Sequence, residues 1–344
     1  MRKNSVLVTC GGQYVGMILQ LKMTMPRIPA LMNGHLIVAD KAELTPAGLF
    51  ADRSVQVPAI NDPQYIQALL AVCEEYNIRV IVPLIDIDLV RISPYLHLFW
   101  DKGIEVVCPP EHLVHLCFDK ALFQEFLNEE GIAYPKTYKA GELGESSFPV
   151  FYKSRLGFGS IGSGVAKNFY DLQNVMQDFD SFVVQKLILA PEVSADAYIS
   201  KSGQCTVCVP RIREKVVGGQ AHVSRTIMNS EISETCRRII KGLTERGLRG
   251  PLNIQLFLLD KPLVIEVNTR LGSASLLSNI ASKERLFFDL LNEASGGKSE
   301  GNPDEYVSNL SLYRFLGDVF HMHDHVYKVL PSNILPLLGQ DNVT

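Results

Sequence analysis

The sequence is poor in the features that would set it apart from an ordinary globular protein. It has a single Trp in 344 residues, no low-complexity tract, and no apolar run near the ~20 residues of a membrane span. Its formal charge of -4 at pH 7 is small, so nothing draws it electrostatically to nucleic acid or an anionic membrane. Neither partner is expected. The first apolar run, Val6-Leu7-Val8, is too short for a signal peptide and stops at Gly11-Gly12, so the cytoplasm is the expected compartment. Disulfide scaffolding is also not indicated. The seven cysteines are an odd number and scattered, which reads most simply as buried free thiols. Cys205 and Cys208 have CxxC spacing within the β-rich "QCTVCVP". Positions three apart on a strand face opposite sides, which disfavours a shared metal or disulfide.

What is present is a chain that is 47% hydrophobic and 20% charged, long enough for two or three subdomains. The first ~110 residues alternate short β-rich runs, "SVLVTC", "HLIVAD", "RVIVPLID" and "GIEVVCPP", with helical pattern such as "PQYIQALLAVCEEYNI". That alternation predicts a parallel sheet flanked by helices, with ligands gathering at the carboxyl ends of its strands. Those ends carry Thr9 to Gly12, Asp40, Asp86 and Asp88. After Pro109-Pro110 the pattern changes. "EHLVHLCFDKALFQEFLNEEGI" predicts one helix with Leu122, Phe123, Phe126 and Leu127 on a face. "PVFYKSRLGFGSIGSGVAK" predicts strand, glycine loop and strand. "SFVVQKLIL", "EVSADAYIS" and "GQCTVCVP" read as strands, "SETCRRIIKGLTERG" as a helix, and "PLNIQLFLLDKPLVIEVNTR" as a hairpin. Residues 299–308 look like a linker, and "LSLYRFLGDVF" like a returning strand.

Two of these stretches carry chemistry. In the hairpin, a two-residue loop at Asp260-Lys261 would set Gln255 opposite Glu266, on the face that Asn268 and Arg270 share. Three neighbouring oxygen ligands suit Mg²⁺, and the Arg270 fork suits phosphate or carboxylate. A solvated polar face is the alternative. In "GFGSIGSG", residues 157–164, the glycines let backbone N–H groups approach an anion, and serine hydroxyls add donors. Lys153 stands just before this loop, where it can meet a phosphate; a flexible loop with a solvated lysine is the alternative.

Asp119-Lys120 at a helix start, Lys153 before a glycine loop, Gln185 with Glu192, and Gln255…Glu266-Val-Asn268-Thr-Arg270 follow one another in that order. The pattern resembles the ATP-grasp superfamily over residues ~1 to 295, most closely single-unit proteins similar to the carbamoyl-phosphate synthase large subunit. The resemblance implies a mixed α/β and α+β fold: a Rossmann-like domain preceding the grasp (1–110), then an ATP-grasp domain of two α+β subdomains (111–298). The flap subdomain would be about 140–187, and a C-terminal extension would occupy 299–344. It further implies that Lys120 and Lys153 contact ATP phosphates under a flap containing Gly157, Gly159 and Ser160. Gln185, Lys186 and Leu187 would form the adenine hinge, and Glu192 would meet the ribose. Gln255, Glu266 and Asn268 would ligate metal, with Asn268 also near the nucleotide, and Arg270 would steady the phosphorylated intermediate. ATP and two Mg²⁺ ions are the implied cofactors, with Mn²⁺ as a substitute. Ala190 departs from the glycine often found at the hinge.

The implied reaction is ligation of a carboxylate to an amine, both small and amino-acid-like, through an acyl phosphate, with release of ADP and phosphate. Two other readings stay open: carbamoyl-phosphate-synthase-like phosphorylation of a small carboxylate, and silent ATP binding. A homodimer is compatible with any of them. Weaker candidates surround this core. His222 or Arg225, in "REKVVGGQAHVSRT", is expected to touch substrate unless that stretch is an exposed basic loop. Asp86 and Asp88 could bind an amino group or cap a helix. His321, His323 and His325 alternate, and on one strand could share a metal. Arg314 could reach the site from the returning strand. "TCGGQYVG" with Asp40 invites a dinucleotide reading, but its spacing is not G-x-G-x-x-G.

Overall fold

The computed structural model describes residues 4–139, 141–157, 159, 161–176, 178–315 and 317, with the backbone of 320–322 and 325–327. The amino-terminal sheet holds β1 (Ser5–Thr9), β2 (Leu36–Asp40), β3 (Arg53–Gln56), β4 (Ile78–Pro83) and β5 (Glu105–Val106). Their order is β3-β2-β1-β4-β5 and every pair is parallel. Strands covered on both faces must be apolar throughout. In β1, Val6 and Val8 pack with Met17 and Ile18 on one side, while Leu7 packs with Leu69 and Ile81 on the other. The first of these cores also takes in Leu286, Phe287 and Leu290 of the helix Arg285–Ala294. One continuous core therefore locks the helix Arg285–Ala294 against the amino-terminal sheet.

The stretch after Pro110 forms two helices, Glu111–Phe118 and Lys120–Glu129, rather than one. Asp119 makes the break. Its backbone is extended and its carboxylate accepts from the N–H of Ala121 and Leu122, at 2.9 and 3.4 Å. Phe123, Phe126 and Leu127 are buried as the pattern implied, whereas Leu122 is exposed. A small sheet follows: β6 (Thr137–Tyr138), β7 (Val150–Ser154), β8 (Gly164–Ala166) and β9 (Phe182–Lys186), ordered β6-β9-β7-β8 and antiparallel. It has its own core of Tyr138, Val150, Ala166, Leu172 and Val184.

The largest sheet is antiparallel, in the order β14-β13-β10-β11-β12-β15. Its strands are β10 (Glu192–Ile199), β11 (Cys205–Val217), β12 (Gln220–Thr226), β13 (Gly250–Phe257), β14 (Leu263–Asn268) and β15 (Ser311–Tyr313). β10 alternates cleanly. Val193, Ala195, Ala197 and Ile199 join the core under the helix Ser230–Glu245, and Ser194 and Asp196 face the other way. The returning carboxyl-terminal strand is the three-residue edge strand β15. Among the described residues, no helix is long and apolar enough to cross a membrane.

Three local readings change. The basic stretch around Gly218-Gly219 is a β-hairpin of β11 and β12, not a loop. Ile199 pairs with Cys205, yet Tyr198 pairs with Val207 and Ala197 with Cys208. A bulge at Thr206 thus adds one residue to β11 and brings Cys205 and Cys208 to the same face. Both are free thiols. Finally, His321 and His325 lie on two paired strands, Phe320–Met322 and His325–Tyr327, instead of on a single strand. His323 lies outside the described residues.

Candidate functional site

The polar face of the large sheet is a ladder of opposed residues. Glu266 lies opposite Gln255, Gln255 opposite Ser194, and Ser194 opposite Arg211. In the next row Asn268 faces Asn253, which faces Asp196. The hairpin reaches this register by an unexpected route. Its loop spans 258–262, so Phe257 pairs with Leu263 and Leu256 with Val264. A bulge at Ile265 then shifts the pairing by one residue and puts Gln255 back opposite Glu266. Glu266 Oε1 accepts from Gln255 Nε2 at 3.2 Å and from Asn268 Nδ2 at 3.4 Å.

Two lysines stand beside this carboxylate. Lys153, buried at the end of β7, donates from Nζ to the Ile265 carbonyl at 3.1 Å. Lys120, at the start of its helix, donates to the Gly157 carbonyl at 2.7 Å. Burial pushes the Lys153 ammonium down to about 8, with Glu266 opposing the shift, and depresses Lys120 as well. For Glu266, burial disfavours the charge, but Lys153 and then Lys120 outweigh it and hold the carboxyl below its ordinary value. Part of the Glu266 side chain still opens to the cleft.

Arg270 reaches across to the amino-terminal domain, where Asp86 Oδ2 accepts from its Nη2 and Nε at 2.6 and 2.9 Å. Asp86 is therefore Arg270's counter-ion. It stands in the first turn of the helix Asp86–Ile92, whose N-cap is Ile85, so neither Asp86 nor Asp88 is the cap. Asp88 points into the core, accepting from Tyr65 Oη at 2.7 Å and from Thr9 Oγ1.

Next to Arg270 lies a cavity of about 120 Å³, bordered by both domains. Tyr14 and Asp86 come from the first domain, Arg211 and Arg213 from β11, and Gln220 and Ser273 from later segments. Gly159 of the glycine loop and Gly218-Gly219 of the hairpin tip border the same space. Gly159 has φ +61, a conformation that favours glycine. Gly272 is needed for packing: a Cβ there would come within 2.5 Å of Asn253 Nδ2 and 2.7 Å of Asp196 Oδ1.

The other expected residues fall at varying distances from this centre. Gln185 is buried and its amide is spent inside the small sheet, on Thr137 Oγ1 at 3.2 Å and the Pro135 carbonyl at 3.5 Å. Lys186 is exposed at the end of β9, with Leu187 half-buried just beyond. Glu192 receives Arg213 Nη1 at 2.6 Å. Ser160 lies outside the described residues. Arg225 is held away from the cavity by Glu214 at 2.8 Å and Asn309 at 3.1 Å. His222 contributes its backbone carbonyl to the N–H of Arg314 at 2.9 Å. Arg314 donates to Gln220 Oε1 at 3.4 Å and to the Ser273 carbonyl, two residues that border the cavity, without bordering it itself. Asp40 meets the glycine turn after β1, accepting from the Gly12 N–H at 3.2 Å, and its own loop, accepting from the Ala42 N–H at 3.2 Å. The Arg211–Asp196 pair, 2.8 Å apart and fully enclosed, went unread. The signal was available: Ser194 and Asp196 interrupt an apolar strand on alternate positions, and Arg211 and Arg213 do the same.

Comparison with known proteins agrees with this architecture. Residues 6–107 match the PylC-like N-terminal domain family and residues 117–274 match the ATP-grasp domain family. A curated relative, the mitochondrial arginine-specific carbamoyl phosphate synthase large chain of Schizosaccharomyces pombe, is 27% identical over 205 residues. That match covers 54% of this chain and only 18% of the relative. Biotin carboxylase from Campylobacter jejuni, solved as a β,γ-ATP complex, superposes with a TM-score of 0.71 at 18% identity, over 90% of this chain and 75% of its own. An L-amino acid ligase from Bacillus licheniformis gives 0.66 at 16% identity, over 87% and 76%. At such identities the structural likenesses establish the fold. Over the matched residues the chain therefore carries a PylC-like N-terminal domain followed by an ATP-grasp domain.

Proposed function

We propose that this protein is an ATP- and Mg²⁺-dependent ligase that joins a small carboxylate to an amine. The observation that carries the reading is the convergence of Glu266, Gln255 and Asn268 with Lys120, Lys153 and Arg270 beside a cavity bordered by two glycine turns. In the reaction, a carboxylate oxygen attacks the γ-phosphorus of ATP and ADP leaves. The amine nitrogen then attacks the acyl carbon of the acyl phosphate, and phosphate leaves with loss of the ammonium proton. Such chemistry needs charge neutralisation, positioning and exclusion of water more than acid–base groups.

The donor set fits a hard cation. Among the described residues, no group of three or more His, Cys, Asp or Glu is placed to hold a metal. The ladder offers one carboxylate and two amide side chains, of which the Gln255 oxygen accepts from Arg213 Nη1 at 3.0 Å and would exchange that partner for the cation; few protein ligands with room for water and phosphate oxygens suit Mg²⁺. Gln255, Glu266 and Asn268 would hold it, and it would neutralise the phosphates when bound. Lys120 and Lys153 bring positive charge to the transferring phosphoryl group. Arg270, kept extended by Asp86, faces the anion being formed. The Gly157–Gly164 loop shields the acyl phosphate from water. Glu192 and the segment Gln185 to Leu187 serve the nucleoside. On the β11–β12 hairpin, we assign the substrate side to Arg213 rather than to Arg225 or His222, because Arg213 borders the cavity and the other two do not.

A screen for ADP release over amino acids and small carboxylates, with hydroxylamine present to trap acyl phosphate, tests this. Hydroxamate should form with wild type and not with Glu266→Ala; equal yields from both would remove the metal assignment. The carbamoyl phosphate synthase match supports a second reading, phosphorylation of a small carboxylate. ADP release driven by a small carboxylate alone, with no amine acceptor, would favour it. MgATP binding with no ADP release for any carboxylate would leave a silent nucleotide-binding protein.

A further inference from the structure

Three arginines border the cavity, and they are not held alike. Arg270 is paired with Asp86 and Arg211 with Asp196, carboxylates that no ligand in the ligase reading needs. Arg213 is held by groups that the ligands do need. Its Nη1 donates to Glu192 Oε2 at 2.6 Å and to Gln255 Oε1 at 3.0 Å, the residues assigned to the ribose and to the cation. Its Nη2 donates to the Gly219 carbonyl at 2.7 Å, in the tip of the β11–β12 hairpin. A rigid, planar fork meets all three acceptors in one orientation, so the contacts are coupled through a single side chain. Burial depresses the basicity of this guanidinium with help from Arg211, and Glu192 opposes the shift.

The cation cannot take its place beside this guanidinium. A divalent ion on Gln255 Oε1 would put like charges on either side of one oxygen, and a ribose hydroxyl on Glu192 competes with Nη1 for the same carboxylate. We propose that Arg213 is a latch: cation and nucleoside displace it, and its release frees the hairpin tip, so that nucleotide loading and movement of the tip are one event. The tip is suited to move. Gly218 and Gly219 take φ +55 and +74, and a Cβ on Gly218 would stand in open space. The other side-chain ties there are longer, with Gln220 meeting Gln13, Tyr14 and Arg314 at 3.3 to 3.4 Å. The released guanidinium is left facing the cavity, the side to which it is assigned. This rests on the places given to Glu192 and Gln255 in the ligase reading and adds a positioning residue, which acts through those two side chains and the Gly219 carbonyl.

Calorimetric titration with ADP, once with Mg²⁺ and once with a chelator in its place, reads the latch without turnover. Arg213→Lys keeps the charge but not the fork, and Arg213→Met loses both. Each should bind MgADP at least about fivefold more tightly than wild type, the lower end of couplings between sites. Metal-free ADP should gain less, since Gln255 is then not contested. A gain by only one variant would reflect that side chain rather than the latch and would overturn it. Unchanged or weaker MgADP binding in both folded variants would overturn it too. Hydrogen exchange supplies a readout that needs no variant. MgADP should raise exchange across residues 216–221 of wild type, and Arg213→Lys should show the raised rate before MgADP is added; no change in wild type overturns the latch. The ligase reading fails separately. MgADP binding with release of the tip, but no ADP release with any carboxylate, removes the ligase and keeps the latch. If wild type binds no MgADP, binding gained by both variants keeps the latch, and binding by neither removes it with the ligase.

Discussion

Glu266 and Asp88 are both carboxylates taken largely out of water, one at the floor of the cleft and the other inside the amino-terminal domain. Their surroundings differ in kind. Glu266 has two lysines and Arg270 around it, and its carboxyl is held below the ordinary value. Asp88 is met only by neutral donors, the hydroxyls of Thr9 and Tyr65 and the Cys10 thiol, and burial pushes it up to about 6. Hydrogen bonds alone do not offset desolvation at Asp88, whereas opposite charge does at Glu266. The cost of assembling so many charges around Glu266 makes sense where a more highly charged ligand is to be received. An acid satisfied by neutral hydrogen-bond donors under a sheet makes sense as architecture.

The comparison is broken most forcefully at Glu266 itself. Glu266→Gln keeps the shape and the contacts with Gln255 and Asn268 but removes the charge. ADP release should fall by at least about a hundredfold, as when a preorganised electrostatic group is lost. The variant should still fold, checked by thermal melting, and a near-wild-type rate would mean that the lysines act without it. Lys153 gives the next largest effect. Its ammonium titrates at about 8 in the folded protein, against 10.5 as the ordinary value. Between those values the unfolded chain holds more protons, so the penalty for burying the charged lysine is complete below pH 8 and fades as pH rises toward 10.5. Lys153→Met should therefore be more stable than wild type at pH 7, by a margin that shrinks above pH 8, seen in urea midpoints. The same variant should bind MgATP about tenfold more weakly. In wild type, nucleotide binding near pH 9 should take up protons as the phosphates restore the ammonium. Calorimetry in buffers of different ionisation enthalpy reads this directly, and proton release would contradict the assignment.

Much of this arrangement could be read along the chain because it depends on period and order. The alternation in "VIEVNTR" puts Glu266, Asn268 and Arg270 on one side, and Lys153 precedes its glycine loop in plain sequence. Asp119 announces the start of a helix, though not that the preceding helix would end there, since propensity runs unbroken across "HLCFDKALF". What stayed hidden depended on insertion or distance. The pairing of Gln255 with Glu266 was reached through a two-residue loop that does not form; a longer loop and a bulge at Ile265 compensate for each other. One extra residue at Thr206 reverses the facing of Cys205 relative to Cys208, and no local rule signals it. Asp86 finding Arg270 across 184 positions is a tertiary fact.

The smallest effect on turnover is expected at Asp88, and it sharpens the comparison by failing to resemble Glu266. Its carboxyl titrates at about 6 when folded and near 3.8 when exposed, so the folded protein holds more protons across that interval. The cost of charging Asp88 therefore appears as pH rises from about 4 through 6, and is fully present above. Asp88→Asn removes the titration while keeping an acceptor for Tyr65 or Thr9. The stability of wild type relative to the variant should fall as pH is raised from 4 to 7 and then level off, again in urea midpoints. ADP release at pH 7.5 should stay within about twofold of wild type, since substitutions away from a site seldom do more. A loss of turnover comparable to that of Glu266→Gln would show that compensation by charge is not what separates the two acids. The Thr9–Asp88–Tyr65 cluster would then have to be counted as part of the site above it.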